Sequence, residues 1–553
     1  MKMAGTLMKA SKTIGSYLIE RIYELGVRHI FGVPGDFVLG FDKLIEESPI
    51  ELINTCDEQG AGYAADAYAR LKGLGVVCVT YCVGGLKVAN TTAQAYAEKS
   101  PVLVISGSPG ISERIKNPLL HHKVRNFDTQ YRVFQELTVA SAVLDNPNTA
   151  CQEIERVLDA INRYKLPGYI ELPRDQVLAI APSHGSIFSC PHISNSNILA
   201  EAIEEATALI NRSQHPIILA GVEIHRFGLQ EELLQLVEKT NIPVAETLMG
   251  KSVINELHQN YIGLYGGAMG NEYTRQQVES SDCLIMLGTF LTDINLGIFT
   301  ANLNPKNSIY VTSEKTSIQF HNYEDIELVD AVRGLLKANI QRREITTSNP
   351  VKIPPAFSPV KDKAITVERL FQRINSFLSN NELIVVADVG DALFAGADLF
   401  IHGRSRFMAT AYYASLGFAV PASIGLQLAN PNVRPLVLVG DGAFQMTGME
   451  LSTIARYKLN PIIILLNNNG YGTERPICDG KFNDLLPWHY HLVPKVLGNG
   501  LGFDIHTEDE LEEALVKSQA HLNSFCLLEV HLDSQDISPA LKRLGDALSK
   551  KIK

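Results

Sequence analysis

Short apolar runs alternate along this chain with segments of helical periodicity. The clearest are His29–Phe31, Val76–Thr80, Val102–Ser106, Gly168–Leu172, Pro216–Ala220, Cys283–Leu287, Leu383–Ala387, Leu436–Val439, Ile462–Leu466 and Phe525–Val530. Continuous apolar character over so few residues predicts strands covered on both faces. The helical segments between them supply the cover, which is the pattern of α/β proteins with parallel sheets. Two stretches break the rhythm and read as linkers: Ala181–Asn197, and the proline-rich Thr346–Pro359. They divide the chain into three expected domains, 1–182, 198–345 and 360–553, each a doubly wound parallel sheet.

The length of 553 residues suits three to four domains at roughly 150 residues each. Hydrophobic residues make up 46% and charged residues 20%, the balance of a globular protein with packed cores. A formal charge of −11 argues against nucleic acid or an anionic membrane as partner. No apolar run reaches the ~18 residues a membrane span needs. Met1–Ser16 lacks the apolar core of a secretory signal. The eight cysteines show no metal-type spacing, and Cys56, Cys78, Cys82, Cys283 and Cys526 lie in or beside apolar runs. Buried, reduced thiols in a cytoplasmic protein are expected.

The most chemically informative stretch runs from Gly440 to Gly470. One apolar run ends in Gly440-Asp441-Gly442, a helical segment expected to start near Gln445 follows, and a second run ends in Asn467-Asn468-Asn469-Gly470. A strand–helix–strand crossover brings two parallel strand ends together. The Asp441 carboxylate, the Asn468 amide oxygen and the carbonyl of the glycine turn at Gly470 then form a hard, incomplete oxygen cage. Such a cage suits Mg2+ or Ca2+, completed by water and a phosphate group. This resembles the diphosphate-binding signature of thiamine diphosphate enzymes.

The first block strengthens that resemblance. It carries Gly35-Asp36-Phe37, then a strand Leu52–Cys56 leading into Asp57-Glu58 and a small-residue helix, then Gly84-Gly85 and the pair His121-His122. In order and spacing the chain is similar, over nearly its whole length, to thiamine diphosphate-dependent 2-oxo acid decarboxylases of the pyruvate, indolepyruvate and phenylpyruvate group. Phe127–Tyr131, Tyr412-Tyr413 and Gly442–Gly448 look most like the phenylpyruvate-type members. The resemblance implies a pyrimidine-binding, a central non-catalytic and a diphosphate-binding domain, with thiamine diphosphate and Mg2+ as cofactors. It also implies a homodimer or a dimer of dimers, and a lyase that turns a small-molecule 2-oxo acid into an aldehyde and CO2.

The family pattern implies roles for named residues. Glu58 is the carboxylate that drives tautomerisation of the cofactor's aminopyrimidine. Asp441, Asn468 and Gly470 are the metal ligands. Gly84, Gly390, Asp391, Ala414, Leu416, Gly440, Gly442, Ala443 and Tyr471 line the cofactor, with Leu416 holding it bent. Decarboxylation leaves an enamine on the cofactor ring, and Asp36, His121, His122 and Glu474 are the acids implied to protonate it. The chain departs from the pattern at Phe37-Val38, where Asn is common, at Ala414, where Gly is usual, and at Gly472 in the metal loop.

Acetaldehyde-forming members carry a Trp at the position of Leu393, so Leu393, Phe394 and Ile477 are expected to wall a roomier pocket. Aromatic, branched or medium-chain 2-oxo acids such as phenylpyruvate or indolepyruvate are the implied substrates. The alternative is a thiamine diphosphate-dependent carboligase or synthase of the acetolactate synthase or benzoylformate decarboxylase type. Those families lack the histidine pair, which argues for decarboxylation. A non-catalytic nucleotide-binding protein is disfavoured by Glu58 and Asp441. Two further motifs carry little: Met249-Gly250-Lys251-Ser252 has Ala245 where a phosphate loop needs Gly, and Gly263–Gly270 misses the dinucleotide fingerprint.

Overall fold

The computed structural model of the chain describes residues 12–182, 192–344 and 356–552, with side chains through Asp546's predecessor, Gly545. The chain divides into two compact units, Met1–Cys190 and Pro191–Lys553. The linker stretches of the sequence lie partly outside the described residues. The last two residues of the stretch Ala181–Asn197 already belong to the helix Ser196–Arg212, which the Asn195 side chain caps by accepting from the amides of Asn197 and Ile198.

In the first unit six parallel strands form one sheet, in the order Glu51–Asn54, His29–Gly32, Gly75–Val79, Val102–Ser108, Gly168–Pro173, Ala140–Val143. The helix Glu58–Lys72 packs along this sheet with its alanines and glycines buried. Small side chains let it approach closely, and a Cβ on Gly62 would run into Thr91. Its last turn holds a buried ion pair, Arg70 Nε to Asp66 Oδ1 at 2.8 Å, which Gln94 Nε2 completes at 2.7 Å from Asp66 Oδ2. Hydrogen bonds on both sides compensate for burying the charges.

The second unit holds two sheets. One has five parallel strands, from Tyr261–Tyr265 through Val244–Thr247, Pro216–Ala220 and Cys283–Leu287 to Ser308–Val311. It is extended by the antiparallel strands Thr316–Ile318 and His321–Tyr323, so this sheet is mixed rather than wholly parallel. The other is parallel throughout, in the order Phe407–Ala409, Leu383–Ala387, Arg434–Gly440, Ile462–Asn467, Cys526–His531, Leu501–Ile505. Its four inner strands are apolar and fully buried over most of their length, as continuous hydrophobic runs require.

Cys78, Cys82, Cys283 and Cys526 are buried free thiols, whereas Cys56 is exposed, because it follows the last strand residue, Asn54, in the turn before Asp57. Among the described residues no helix is long and apolar enough to cross a membrane.

Candidate active site

In the second unit the strands Leu383–Ala387, Arg434–Gly440 and Ile462–Asn467 pair in register and end along one edge of their sheet. A cleft of about 240 Å3 opens there. Ligands of open α/β sheets bind beyond the carboxyl ends of the strands in this way. Gly440, Asp441, Gly442 and Ala443 line one side of the cleft, and Asn468, Gly470, Tyr471 and Glu474 another. Gly390, Asp391, Ala414 and Leu416 complete it. One cavity thus brings together the expected diphosphate, metal and cofactor-bending positions of this unit.

Asp441 is 1% exposed. Its Oδ1 accepts from the Gly442 amide at 2.8 Å and its Oδ2 from the Gly470 amide at 3.0 Å. Burial pushes its carboxyl up to about 6 even though these amides favour the charged form. Among the described residues no Lys, Arg or His pairs with it. A desolvated carboxylate without a cation, facing Asn468 and the Gly470 turn, fits a hard divalent ion. The helix starts at Asp441 itself and runs to Thr447, four residues earlier than the expected start near Gln445. A Cβ on Gly442 would meet the Tyr471 ring at 2.6 Å.

Gly390 has φ 107, a conformation open to glycine alone. It turns the chain so that Asp391 faces the cleft, where Asp391 Oδ2 accepts from the Ser538 amide at 2.8 Å and its other oxygen from the Ser538 hydroxyl. Ala414 takes φ 56, so the alanine keeps the left-handed backbone that a glycine would adopt there, at roughly 1–2 kcal/mol of strain. Half-buried Leu416 follows in the same turn.

Sequence reasoning missed what holds that turn. Asp388 is fully buried, and its carboxylate accepts from the amides of Gly417 at 3.0 Å and Ala419 at 2.8 Å. Burial pushes its carboxyl up to about 6. The two bonds tie the turn that carries Leu416 to the end of the strand Leu383–Ala387.

In the first unit Glu58 opens the helix Glu58–Lys72 and is 9% exposed. Asp57 caps that helix, accepting from the Gln59 amide at 2.8 Å, which fixes the direction in which Glu58 leaves it. Glu58 Oε2 pairs with Lys87 Nζ at 2.7 Å, and Lys87 also bonds Asp57. Lys87 was not a sequence candidate. Gly84 stands over the other oxygen, with its missing Cβ 3.2 Å from Glu58 Oε1, so one carboxylate oxygen is bridged and the other is approached by no side chain from Gly84.

The same unit brings Asp36, His121 and His122 together. Their ligand-type atoms lie within 4.8 Å of one another. His121 Nε2 is 2.7 Å from Asp36 Oδ2. Phe37, at one of the departures from the family pattern, stacks on His121 with centroids 4.8 Å apart and meets His122 edge-on at 5.8 Å. The Arg174 guanidinium lies over the Phe37 ring, 4.9 Å from its centroid, and is 3.9 Å from Asp36. The aromatic and the guanidinium position a cluster that loop residues alone would leave loose.

Leu393, Phe394 and Ile477 are the expected walls of the substrate pocket. Leu393 is fully buried, packed against Leu248 and Ala411. Phe394 lines a separate cavity of about 480 Å3 with Ile294, Met269 and Ala540. Neither is among the residues that line the cleft of about 240 Å3. Ile477 is half-buried and its amide donates to the Glu474 carbonyl at 3.0 Å. Leu393→Trp is therefore expected to overpack a core and lower stability by ~1–3 kcal/mol. Thermal denaturation reads this directly, and an unchanged melting temperature would contradict the packing. The Lys251 of the phosphate-loop-like motif is also occupied, held in a buried ion pair with Glu256 at 2.7 Å.

Comparison with known proteins agrees with this geometry. Residues 12–130 match the model for the thiamine pyrophosphate enzyme N-terminal TPP binding domain, 203–338 that for the central domain, and 388–530 that for the C-terminal TPP binding domain. The fold and cleft are thus those of a thiamine diphosphate enzyme. The chain is 35% identical over 548 residues to the indole-3-pyruvate decarboxylase of Azospirillum brasilense, covering 98% of this chain and 97% of that one. It is 34% identical over 559 residues to the alpha-keto-acid decarboxylase of Mycobacterium avium (strain 104), covering 98% of each. The chain belongs to the family of thiamine diphosphate-dependent 2-oxo acid decarboxylases.

Proposed function

We propose that this enzyme converts 2-oxo acids with aromatic, branched or medium-length side chains to the aldehyde and CO2, with Mg2+ and thiamine diphosphate as its cofactors. The observation that carries decarboxylation over carboligation is the Asp36–His121–His122 cluster. Proton donors gathered at one place quench a carbanion before a second carbonyl can add to it.

Bound thiamine diphosphate supplies the electron sink for the carbanion. The chain's own residues do the rest in this reading. Asp441 Oδ, the Asn468 amide oxygen and the Gly470 carbonyl would hold Mg2+, whose charge would offset that of the diphosphate. Leu416, on a turn braced by Asp388, would pack against the cofactor. Glu58 would share a proton with the aminopyrimidine. Asp36, His121, His122 and Glu474 would deliver the proton to the product carbon.

The name of the A. brasilense relative supports a bulky substrate. By family resemblance the enzyme is a homodimer or a dimer of dimers, with Glu58 and Asp441 of different chains serving one cofactor. The domain limits 1–182, 198–345 and 360–553 are part of the same reading. The free thiols among the described residues support a cytoplasmic setting.

The test is a panel of 2-oxo acids with CO2 release and product identity measured together. Phenylpyruvate, indolepyruvate or a branched acid is expected to give aldehyde with a higher kcat/KM than pyruvate. Acyloin as the main product would establish the carboligase reading instead.

A further inference from the structure

The strands Leu501–Ile505 and Cys526–His531 lie side by side at one edge of their sheet, with Asp504 opposite Glu529. Three imidazoles converge on the Asp504 carboxylate. His531 Nε2 lies 2.7 Å from Asp504 Oδ1, His506 Nε2 3.3 Å and His491 Nδ1 3.6 Å from the same oxygen. The rings of His506 and His531 stack with centroids 4.1 Å apart. Behind them Glu529, 1% exposed, accepts from His491 Nδ1 at 2.7 Å and from Asn467 Nδ2 at 2.7 Å. Among the described residues neither Asp504 nor Glu529 pairs with a Lys or Arg. None of these groups belongs to the cofactor cleft or the proton-donor cluster.

We propose that Asp504, His506 and His531 form a second metal site, selective for a borderline divalent ion of the Zn2+ class. Their ligand atoms lie within 4.8 Å of one another. Bonds of 2.0–2.1 Å at tetrahedral angles put ligand atoms about 3.3 Å apart; His506 Nε2 stands at that distance from Asp504 Oδ1 and His531 Nε2 lies closer, at 2.7 Å. Two imidazoles and one carboxylate favour Zn2+, Co2+ or Ni2+, whereas Mg2+ prefers a set of oxygens. Three protein ligands leave a position open to water. Asp504 and His506 are exposed, so the ion enters from solvent without any opening of the fold. Glu529 anchors His491 beside the site, in the manner of outer partners that orient metal ligands. The ion would tie the edge strand, through Asp504 and His506, to the end of its neighbour at His531.

The experiment uses tag-free holoenzyme, saturated with thiamine diphosphate and excess Mg2+ and stripped of transition metals. Co2+ is then titrated, with calorimetry and visible absorption as readouts. One equivalent is expected to bind despite the Mg2+, with absorption typical of nitrogen-ligated Co2+. His506→Ala with His531→Ala should weaken it by at least ~10-fold, the scale of losing well-placed partners at a metal. His531→Gln serves as the variant that keeps the size of the side chain, and His489→Ala, outside the trio, should bind as wild type does. Circular dichroism checks that each variant folds. Co2+ binding of equal strength in wild type and the double variant would overturn the proposal, as would an absence of binding beyond the Mg2+ site.

Discussion

Asp441→Ala is expected to abolish retention of thiamine diphosphate and Mg2+ while leaving the unliganded fold nearly as stable as wild type. The two halves of that result have separate causes. Asn468 and the Gly470 carbonyl are neutral, so without Asp441 nothing in the cleft offsets a divalent charge, and without the cation the diphosphate is repelled. The fold survives because the carboxylate is itself a burden in the empty cleft. Its pKa is raised to about 6 by burial, so keeping it charged at neutral pH costs roughly 3 kcal/mol. Alanine removes that cost and forfeits two amide hydrogen bonds of ~1 kcal/mol each. The sign follows for pH. A raised folded-state pKa means the empty protein loses stability as pH rises from the ordinary aspartate range through about 6. Cation binding runs the other way, weakening ~10-fold per pH unit below about 6 as protons compete for the same oxygens. Calorimetry of cofactor binding at several pH values, with melting curves of the empty proteins, measures both. Tight cofactor binding by the variant in EDTA would remove Asp441 from the metal site.

Glu58→Gln is expected to bind thiamine diphosphate within a few-fold of wild type and lose at least ~10²-fold in kcat, the scale for a positioned proton-transfer group. Glutamine keeps the length of the side chain at the start of the helix Glu58–Lys72 and its place under Gly84, but cannot share a proton with a ring nitrogen. It also releases Lys87 from its 2.7 Å ion pair, so Lys87→Ala is the matched control. Exchange of the cofactor's C2 proton, followed by NMR, isolates the step. Near-normal exchange in Glu58→Gln would assign the proton transfer elsewhere. Mixing the two inactive variants, Glu58→Gln and Asp441→Ala, should restore part of the activity if each site draws on two chains.

Legibility from sequence followed burial. The inner strands Leu383–Ala387, Arg434–Gly440 and Ile462–Asn467 were legible because both faces are covered, which leaves an unbroken apolar run. The edge strands Ala140–Val143, Phe407–Ala409 and Leu501–Ile505 were not. They are short, one side meets solvent, and residues such as Ser141, Gly502 and Asp504 interrupt the signal. The cleft was legible where a motif is local, as at Gly440-Asp441-Gly442 and Asn468-Asn469-Gly470. Asp388 was invisible because it acts on backbone amides 29 and 31 residues further along the chain, and no side-chain pattern marks an amide. Lys87 was invisible for a related reason, since it meets Glu58 only when the turn after Gly84 folds over the helix start.

The seven residues of the helix Asp391–Ala397 place neighbouring positions in two different cores. Leu393 is enclosed on all sides, and a larger residue there has to displace Leu248 or Ala411. Phe394, 5% exposed, belongs to a second core with Met269, Ala540, Leu541 and Leu544, and also lines a cavity. Both positions are therefore expected to change only together with their packing partners, each with a different set.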